Sequence, residues 1–398
     1  MHKISLKLTY ASLFILAVGI FTSVSISAIS HVLLIIPGVY FFYKDFIKKE
    51  KPIELSGSSV FLLLMIGSII LSVIFNLDIL ENPLKNLFKI KYFIIPWLGV
   101  FAVQRLIDED LSPKKKNILI NTFLIATTVA TISGLIGLYT GFNPIKMKSA
   151  CHSTRACGLY GMYMTYGYGV SLFAVLMTSL VFLKKNIVNR PLLYIATLFG
   201  LVGTVLSFAR GGWLGYIAGV GAFFFKKNIK VFLVSIVVLI TLVTTAFFTS
   251  STVKDMVSNR STSNDQRIAF YLTAYAAFKE RPLFGWGYRN FEPNVKEIKK
   301  KYNIAYPDFG GHAHNNILEH LASTGIVGFI CTLGFFVTWL MESYKRKDLT
   351  GILTFPFVVS FLTSGLFQYT FGDGENLFLL MGVWTIFRLK KCSSEGTP

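Results

Sequence analysis

The chain has 398 residues, 53% of them apolar and only 15% charged, against about 25% charged in an ordinary soluble domain. The apolar residues come in runs rather than in alternation, and at about 20 residues per crossing they supply around a dozen bilayer-spanning helices. A soluble globule, a disordered regulator and a secreted disulfide scaffold are excluded; the fold class is an all-α polytopic membrane protein. A net charge of +19 would suit a phosphate backbone. The Lys and Arg residues, however, sit in short clusters between apolar runs, as the positive-inside rule produces, so no nucleic-acid partner is expected. The cysteines Cys151, Cys157, Cys331 and Cys392 fit no metal-ligand spacing.

Twelve spans are predicted, at roughly 8–28, 31–47, 58–75, 91–107, 117–140, 164–183, 191–207, 211–226, 229–249, 314–341, 350–368 and 375–388. The first ends in small residues, as a signal peptide does, but a second apolar run begins near His31, so the first helix is read as uncleaved. The basic clusters set the orientation. Lys44, Lys48, Lys49 and Lys51, Arg105 and Lys114 to Lys116, Lys184, Lys185 and Arg190, Lys226, Lys227 and Lys230, Lys345, Arg346 and Lys347, and Arg388, Lys390 and Lys391 all fall on one side. With Lys3 and Lys7 that side carries 22 of the 39 basic residues, so it is expected to be cytoplasmic, with both termini inside.

Three parts follow: residues 1–249 with spans one to nine, 250–313 as one large periplasmic loop domain, and 314–398 with the last three spans and a cytoplasmic tail. Loops of more than about 15 residues are usually functional or disordered; Phe284, Trp286 and Tyr288 mark this one as folded. No internal repeat is present, and a nine-to-three division does not suggest the matched halves of many transporters. Cys151 and Cys157 lie on the outer side, where a disulfide forms if that side is a periplasm.

Three features there carry candidate chemistry. In Ser207-Phe-Ala-Arg210-Gly-Gly-Trp-Leu214-Gly215, an arginine in an apolar hairpin either snorkels to the interface or faces a cavity or an anion. The N–H groups of Gly211 and Gly212 at a helix start favour a phosphate. Further on, Ile268, Tyr271, Leu272, Tyr275 and Phe278 recur at helical spacing and predict an amphipathic helix in the loop, capped by Asn264 or Asp265. Arg267 in its first turn opposes the helix dipole unless an anion lies near.

The third feature is Gly310-Gly-His312-Ala-His314-Asn315, running into Glu319, His320, Gly325 and Gly328. On an uninterrupted helix Gly325 lies about 20° from His314 and roughly 16 Å deeper, so His314 would crown a glycine-lined groove for a neighbouring helix or a lipid tail. Small residues also serve helix packing. His314 and His320 are about 240° apart and do not converge; no metal site and no cofactor are expected.

His314-Asn315, nine residues, Gly325, two residues and Gly328 resemble the His-Asn-x9-Gly-x-x-Gly signature of bacterial O-antigen ligases. Arg210-x3-Leu214 resembles that family's Arg-x3-Leu motif, Arg267 stands where its second loop arginine is expected, and Pro282…Gly285-x-Gly287 is similar too. The superfamily also contains O-antigen polymerases and protein O-oligosaccharyltransferases. The resemblance implies a GT-C-like multi-pass enzyme of the bacterial inner membrane with its site on the periplasmic face. Such an enzyme transfers a polymerised glycan from an undecaprenyl-diphosphate-linked O-antigen donor to a sugar hydroxyl of lipid A–core, among membrane lipids, without metal or nucleotide. Arg210 and Arg267 would neutralise the diphosphate and His314 would be the general base, with inversion at the anomeric carbon. His312, Asn315, Arg289, Arg155, Gly325 and Gly328 are further candidates for holding substrate. A polymerase with the same donor remains an alternative, as does a lipid or polysaccharide flippase. A flippase would place its charges near the bilayer midplane, whereas these cluster at one edge.

Overall fold

The computed structural model describes residues 1–51, 55–183, 188–249, 261–304 and 310–387; Lys184, Lys185, Arg388, Lys390, Lys391 and Cys392 lie outside them. The chain opens with α1 (His2–Gly19) and α2 (Val24–Phe42). Both differ from the expected bounds, because the small residues after the first apolar run pack the hairpin instead of ending a span. A Cβ on Gly19 would lie 2.6 Å from the Ser27 nitrogen, and the Ser12 hydroxyl donates to the Ser30 carbonyl at 2.8 Å.

Next come α3 (Gly57–Ile74), the short α4 (Pro83–Leu87), α5 (Lys91–Glu109) and α6 (Pro113–Thr140). Asn82 caps α4 by accepting from the Lys85 N–H at 3.0 Å. A two-strand antiparallel hairpin, β1 (Phe142–Asn143) and β2 (Lys148–Ser149), pairs Phe142 with Ser149. It leads to the Cys151–Cys157 disulfide. The chain continues through α7 (Tyr163–Leu183), α8 (Arg190–Leu206), α9 (Arg210–Lys227) and α10 (Ile229–Thr249). The outer segment holds α11 (Ser261–Glu280) and α12 (Phe291–Lys301). Last come α13 (Asn316–Lys345), α14 (Leu349–Gly365) and α15 (Gly374–Phe387).

Among the described residues six helical segments are long and apolar enough to cross a bilayer: Val24–Ile47, Gly57–Ile74, Pro83–Glu109, Pro113–Thr140, Tyr163–Leu183 and Asn316–Lys345. The shorter α8 and α14 are apolar as well. This is an all-α membrane-protein architecture, with helices also at the other predicted positions.

Two antiparallel pairs position the candidate site. The start of α3 meets the end of α13, where the Ser58 hydroxyl donates to Glu342 at 2.7 Å. Its other end meets the start of α13, where Ser72 donates to the Ser323 carbonyl at 2.8 Å. Against α14, α9 lays a glycine face: a Cβ on Gly215 would stand 2.9 Å from the Ser360 carbonyl oxygen, and one on Gly219 2.9 Å from that of Pro356. Such close backbone approach is how membrane helices pack without a hydrophobic driving force.

At the far end of this bundle, the Lys226 ammonium donates to the carbonyls of Arg346 and Gly351 at 2.7 and 2.8 Å. Arg105, counted above only as a positive-inside residue, is buried in an ion pair with Asp45 and reaches Glu109 at 2.8 Å.

A second apolar core, formed by Phe270, Ala274, Ala277, Phe291, Val295, Ile298, Ala313 and Ala322, shows that the outer segment is folded. The buried face of α11 is not the predicted one. Ile268, Leu272 and Tyr275 are 53%, 52% and 51% exposed, while Ala269, Phe270, Thr273, Ala274 and Ala277 are buried. Small side chains let α11 sit close on α12 and α13, which turns its large apolar residues outward.

Candidate functional site

The entry to α13 determines where His314 points. Asn315 caps the helix, its Oδ1 accepting from the N–H groups of Ile317 and Leu318 at 2.8 and 3.2 Å, and its Nδ2 donates to the Leu366 carbonyl at 3.1 Å. This side chain is therefore occupied in holding two segments together. Before it, the Ala313 N–H donates to the buried Glu319 carboxylate at 2.7 Å, and His314 has a φ of 48°, in the left-handed region that non-glycine residues rarely enter. His314 consequently lies outside the helix and off its wheel.

The expected groove along Gly325 and Gly328 is absent for a related reason. Gly325 breaks α13, with φ 64° and ψ −165°, and a Cβ there would lie 2.4 Å from the Leu283 carbonyl. Gly285, at φ 64°, interlocks from the other side, where a Cβ would stand 2.5 Å from the Ser323 carbonyl carbon. The Ile326 N–H donates to Pro282 at 2.8 Å and that of Trp286 to Ala322 at 2.8 Å. The turn over 282–286 thus fills the space read as a groove. A Cβ on Gly328 would meet Thr324 of its own helix at 2.2 Å. Gly325 and Gly285 seat the turn that leads to Arg289.

His314 belongs to a chain of polar groups. Its Nδ1 lies 2.7 Å from Gln368 Oε1, and Gln368 Nε2 lies 2.8 Å from His312 Nε2. His312 Nδ1 faces the Glu292 carboxylate at 3.9 Å. The directions follow from the groups. An amide oxygen only accepts, so His314 Nδ1 carries the proton; an amide nitrogen only donates, so His312 Nε2 is a bare acceptor and its proton sits on Nδ1, toward Glu292. The neutral His314 ring then has an unprotonated Nε2, the lone pair that a base requires.

Burial, then the neighbouring His312 and the Arg267 charge, push the His314 pKa down to about 4. Burial also acts to lower that of His312, but Glu292, with Glu319 and Asp373, raises it above the usual imidazole value. His312 in turn holds the Glu292 carboxyl below its usual range. The two imidazoles, 4.4 Å apart between ring centroids, are thus driven in opposite directions, the pattern that separates proton donors from acceptors in active sites.

The arginines surround this chain unequally. Arg267, on α11, lies near enough to Tyr168 and His314 for its charge to act on both. Arg210 is the first residue of α9. A Cβ on the next residue, Gly211, would be 2.2 Å from the Tyr168 hydroxyl and 2.7 Å from Phe367 Cβ. The α9 start therefore abuts both Tyr168 and the 366–373 loop that holds Gln368. The Tyr271 hydroxyl ties α11 to that loop by donating to the Leu366 carbonyl at 3.4 Å. Arg289 binds its far side, Nη1 donating to the Gly372 carbonyl at 2.8 Å. Arg155 stacks on Tyr163 at 4.3 Å and lines a separate cavity with Lys146, Lys148 and the disulfide. Among the described residues no group of three or more His, Cys, Asp or Glu side chains converges as a metal set.

Gln368 and Glu292 carry no motif in the sequence, and Glu319 stands in the His314 stretch without a role that its position reveals. The only local signal was a polar run, Gln368-Tyr369-Thr370 to Asp373, between two apolar stretches.

Residues 195–333 match the family model described as O-antigen ligase, a segment that holds Arg210, Arg267, His312 and His314. The match bears out the resemblance to the O-antigen ligase superfamily. An uncharacterized protein of Haemophilus influenzae is 26% identical over 307 residues, covering 72% of each chain.

Proposed function

We propose that this protein is an O-antigen ligase: it moves a polymerised glycan from undecaprenyl diphosphate to a sugar hydroxyl of lipid A–core at the periplasmic face of the bacterial inner membrane. The superfamily match supports a lipid-linked glycan transferase. The observation that carries the reading is the 2.7 Å contact of His314 Nδ1 with Gln368 Oε1, beside the charge of Arg267; an amide oxygen accepts there, which leaves Nε2 to take a proton.

The acceptor hydroxyl attacks the anomeric carbon of the donor. Its C–O bond forms as the bond from that carbon to the diphosphate oxygen breaks, and the hydroxyl proton goes to His314 Nε2. Undecaprenyl diphosphate leaves as the anion, and the configuration inverts. Arg210 and Arg267 neutralise the developing charge, their planar forks matched to phosphate oxygens. A bound diphosphate also offsets the Arg267 charge that depresses His314, so the base strengthens when the donor is in place. Neither a metal nor a nucleotide takes part. The Cys151–Cys157 disulfide fits the periplasmic orientation, in which twelve spans put both termini in the cytoplasm.

The test is a lipopolysaccharide gel from a strain lacking this protein. A ligase mutant loses the whole O-antigen ladder and accumulates long glycan on undecaprenyl diphosphate. Core bearing a single repeat would identify a polymerase instead, and donor trapped on the cytoplasmic face a flippase.

A further inference from the structure

We infer that the cavity between the α4–α5 junction and the 366–373 loop is a second anion site, which holds a phosphate monoester carried by an amphiphile at the membrane surface. The cavity measures about 160 Å³ and is lined by Lys89, Tyr92, Arg289, Gly372 and Glu375, among others. At roughly 30 Å³ per water it has room for a phosphate group.

Its charge is poorly balanced. Lys89 and Arg289 line it against the one carboxylate of Glu375, and Lys85 and Lys91 flank Lys89 in the chain. Among the described residues none of these four cations has a carboxylate within 4.0 Å; Lys91 rests over the Phe88 ring at 4.0 Å. Lys85 and Lys89 in the short connection from α3 to α5, and Lys91 at the start of α5, on the face that carries His314, are also out of place in the proposed orientation. Short outer loops are depleted of Lys and Arg, so their presence calls for an anion on that side.

The same stretch indicates where the anion comes from. Leu84 and Phe88 are 78% and 66% exposed beside these lysines, the mixture of apolar and basic groups that lies at the boundary of acyl chains and headgroups. The site is also tied to the loop that holds Gln368. Arg289, held at φ 64°, donates to Gly372, and a Cβ on Gly372 would stand 2.6 Å from Tyr369, the neighbour of Gln368. Resting on the ligase reading, the assignment is that Arg210 and Arg267 take the donor diphosphate, while Lys89 and Arg289, across the loop, take a phosphate of the acceptor glycolipid.

The experiment measures equilibrium binding to the full chain in nanodiscs of phosphatidylcholine, with diphosphorylated lipid A, dephosphorylated lipid A and inorganic phosphate as probes and no donor present. The diphosphorylated form is expected to bind about tenfold tighter than the dephosphorylated one. A Lys85→Gln/Lys89→Gln variant loses that preference, and Lys85→Arg/Lys89→Arg keeps it. Inorganic phosphate at millimolar concentration leaves the bound lipid A in place if the site reads a lipid-borne phosphate, and its competition would overturn that part. Equal binding of the two lipids, or a preference intact in the Gln variant, overturns the site. Since no transfer is measured, a protein that binds with this preference yet ligates nothing keeps the site and loses the ligase reading, and the converse result does the reverse.

Discussion

His314 Nδ1 and Gln368 Oε1 stand 2.7 Å apart, and this one contact decides which nitrogen of the imidazole is left to act. Gln368 touches no reacting atom in the proposed mechanism; it is a positioning residue. Gln368→Leu is expected to lower kcat by about tenfold, the scale of one lost hydrogen bond, with little change in KM. Gln368→Glu supplies a charged acceptor that favours the imidazolium, so its activity should fall off at a higher pH than in the wild type. A merely structural Gln368 would lower activity without moving the pH profile.

The pH dependence of the wild type should belong to His312. His314, its pKa pushed down to about 4, is neutral at any pH well above that. His312 gains its proton below a pKa raised above the ordinary 6.5. Its Nε2 then donates, the Gln368 amide must turn over, and the amide nitrogen donates to His314 Nδ1, leaving the proton on Nε2 and the base disabled. Activity should therefore decline as pH falls through a value above 6.5, and His312→Gln should remove that acid limb. A limb near pH 4 in the wild type would assign it to His314 instead.

Arg210→Ala and Arg267→Ala should each abolish ligation in a strain while the protein remains inserted and abundant on an immunoblot. Arg210→Lys should fail as well, because an ammonium cannot make the two-pronged contact of a guanidinium. Full O-antigen ladders from the lysine variant would reduce Arg210 to a point charge.

Gly325→Ala tests the packing account of the glycines. A side chain at φ 64° and 2.4 Å from the Leu283 carbonyl must displace the 282–286 turn. The backbone strain alone costs about 1–3 kcal/mol, so thermal unfolding in detergent should shift downward. Unchanged stability with weakened substrate binding would return Gly325 to the role of a ligand contact.

The helical membrane fold could be read from the chain because long apolar runs and basic clusters are local features. The candidate site could be read only where chemistry is local too: His314, Arg210 and Arg267 stand out by type and motif. What failed was continuity of the helix. A wheel from His314 to Gly328 requires one uninterrupted helix, but Asn315 starts it later and Gly325 breaks it, so Gly325 receives the Leu283 backbone and Gly328 faces Thr324 of its own helix. The same limit hid Gln368, which reaches His314 across a separation of 54 residues. On α11 the periodicity was correct and the face was not, since Ala274 and Ala277 allow closer packing than Leu272 and Tyr275.

The most direct test is single-round transfer with purified protein, undecaprenyl-diphosphate-linked glycan and lipid A–core. Wild type should form the glycan–core linkage with inverted anomeric configuration, and His314→Ala should form none while binding the donor as tightly. Transfer at the wild-type rate by His314→Ala, or a product of retained configuration, would contradict direct attack by a hydroxyl that this imidazole deprotonates.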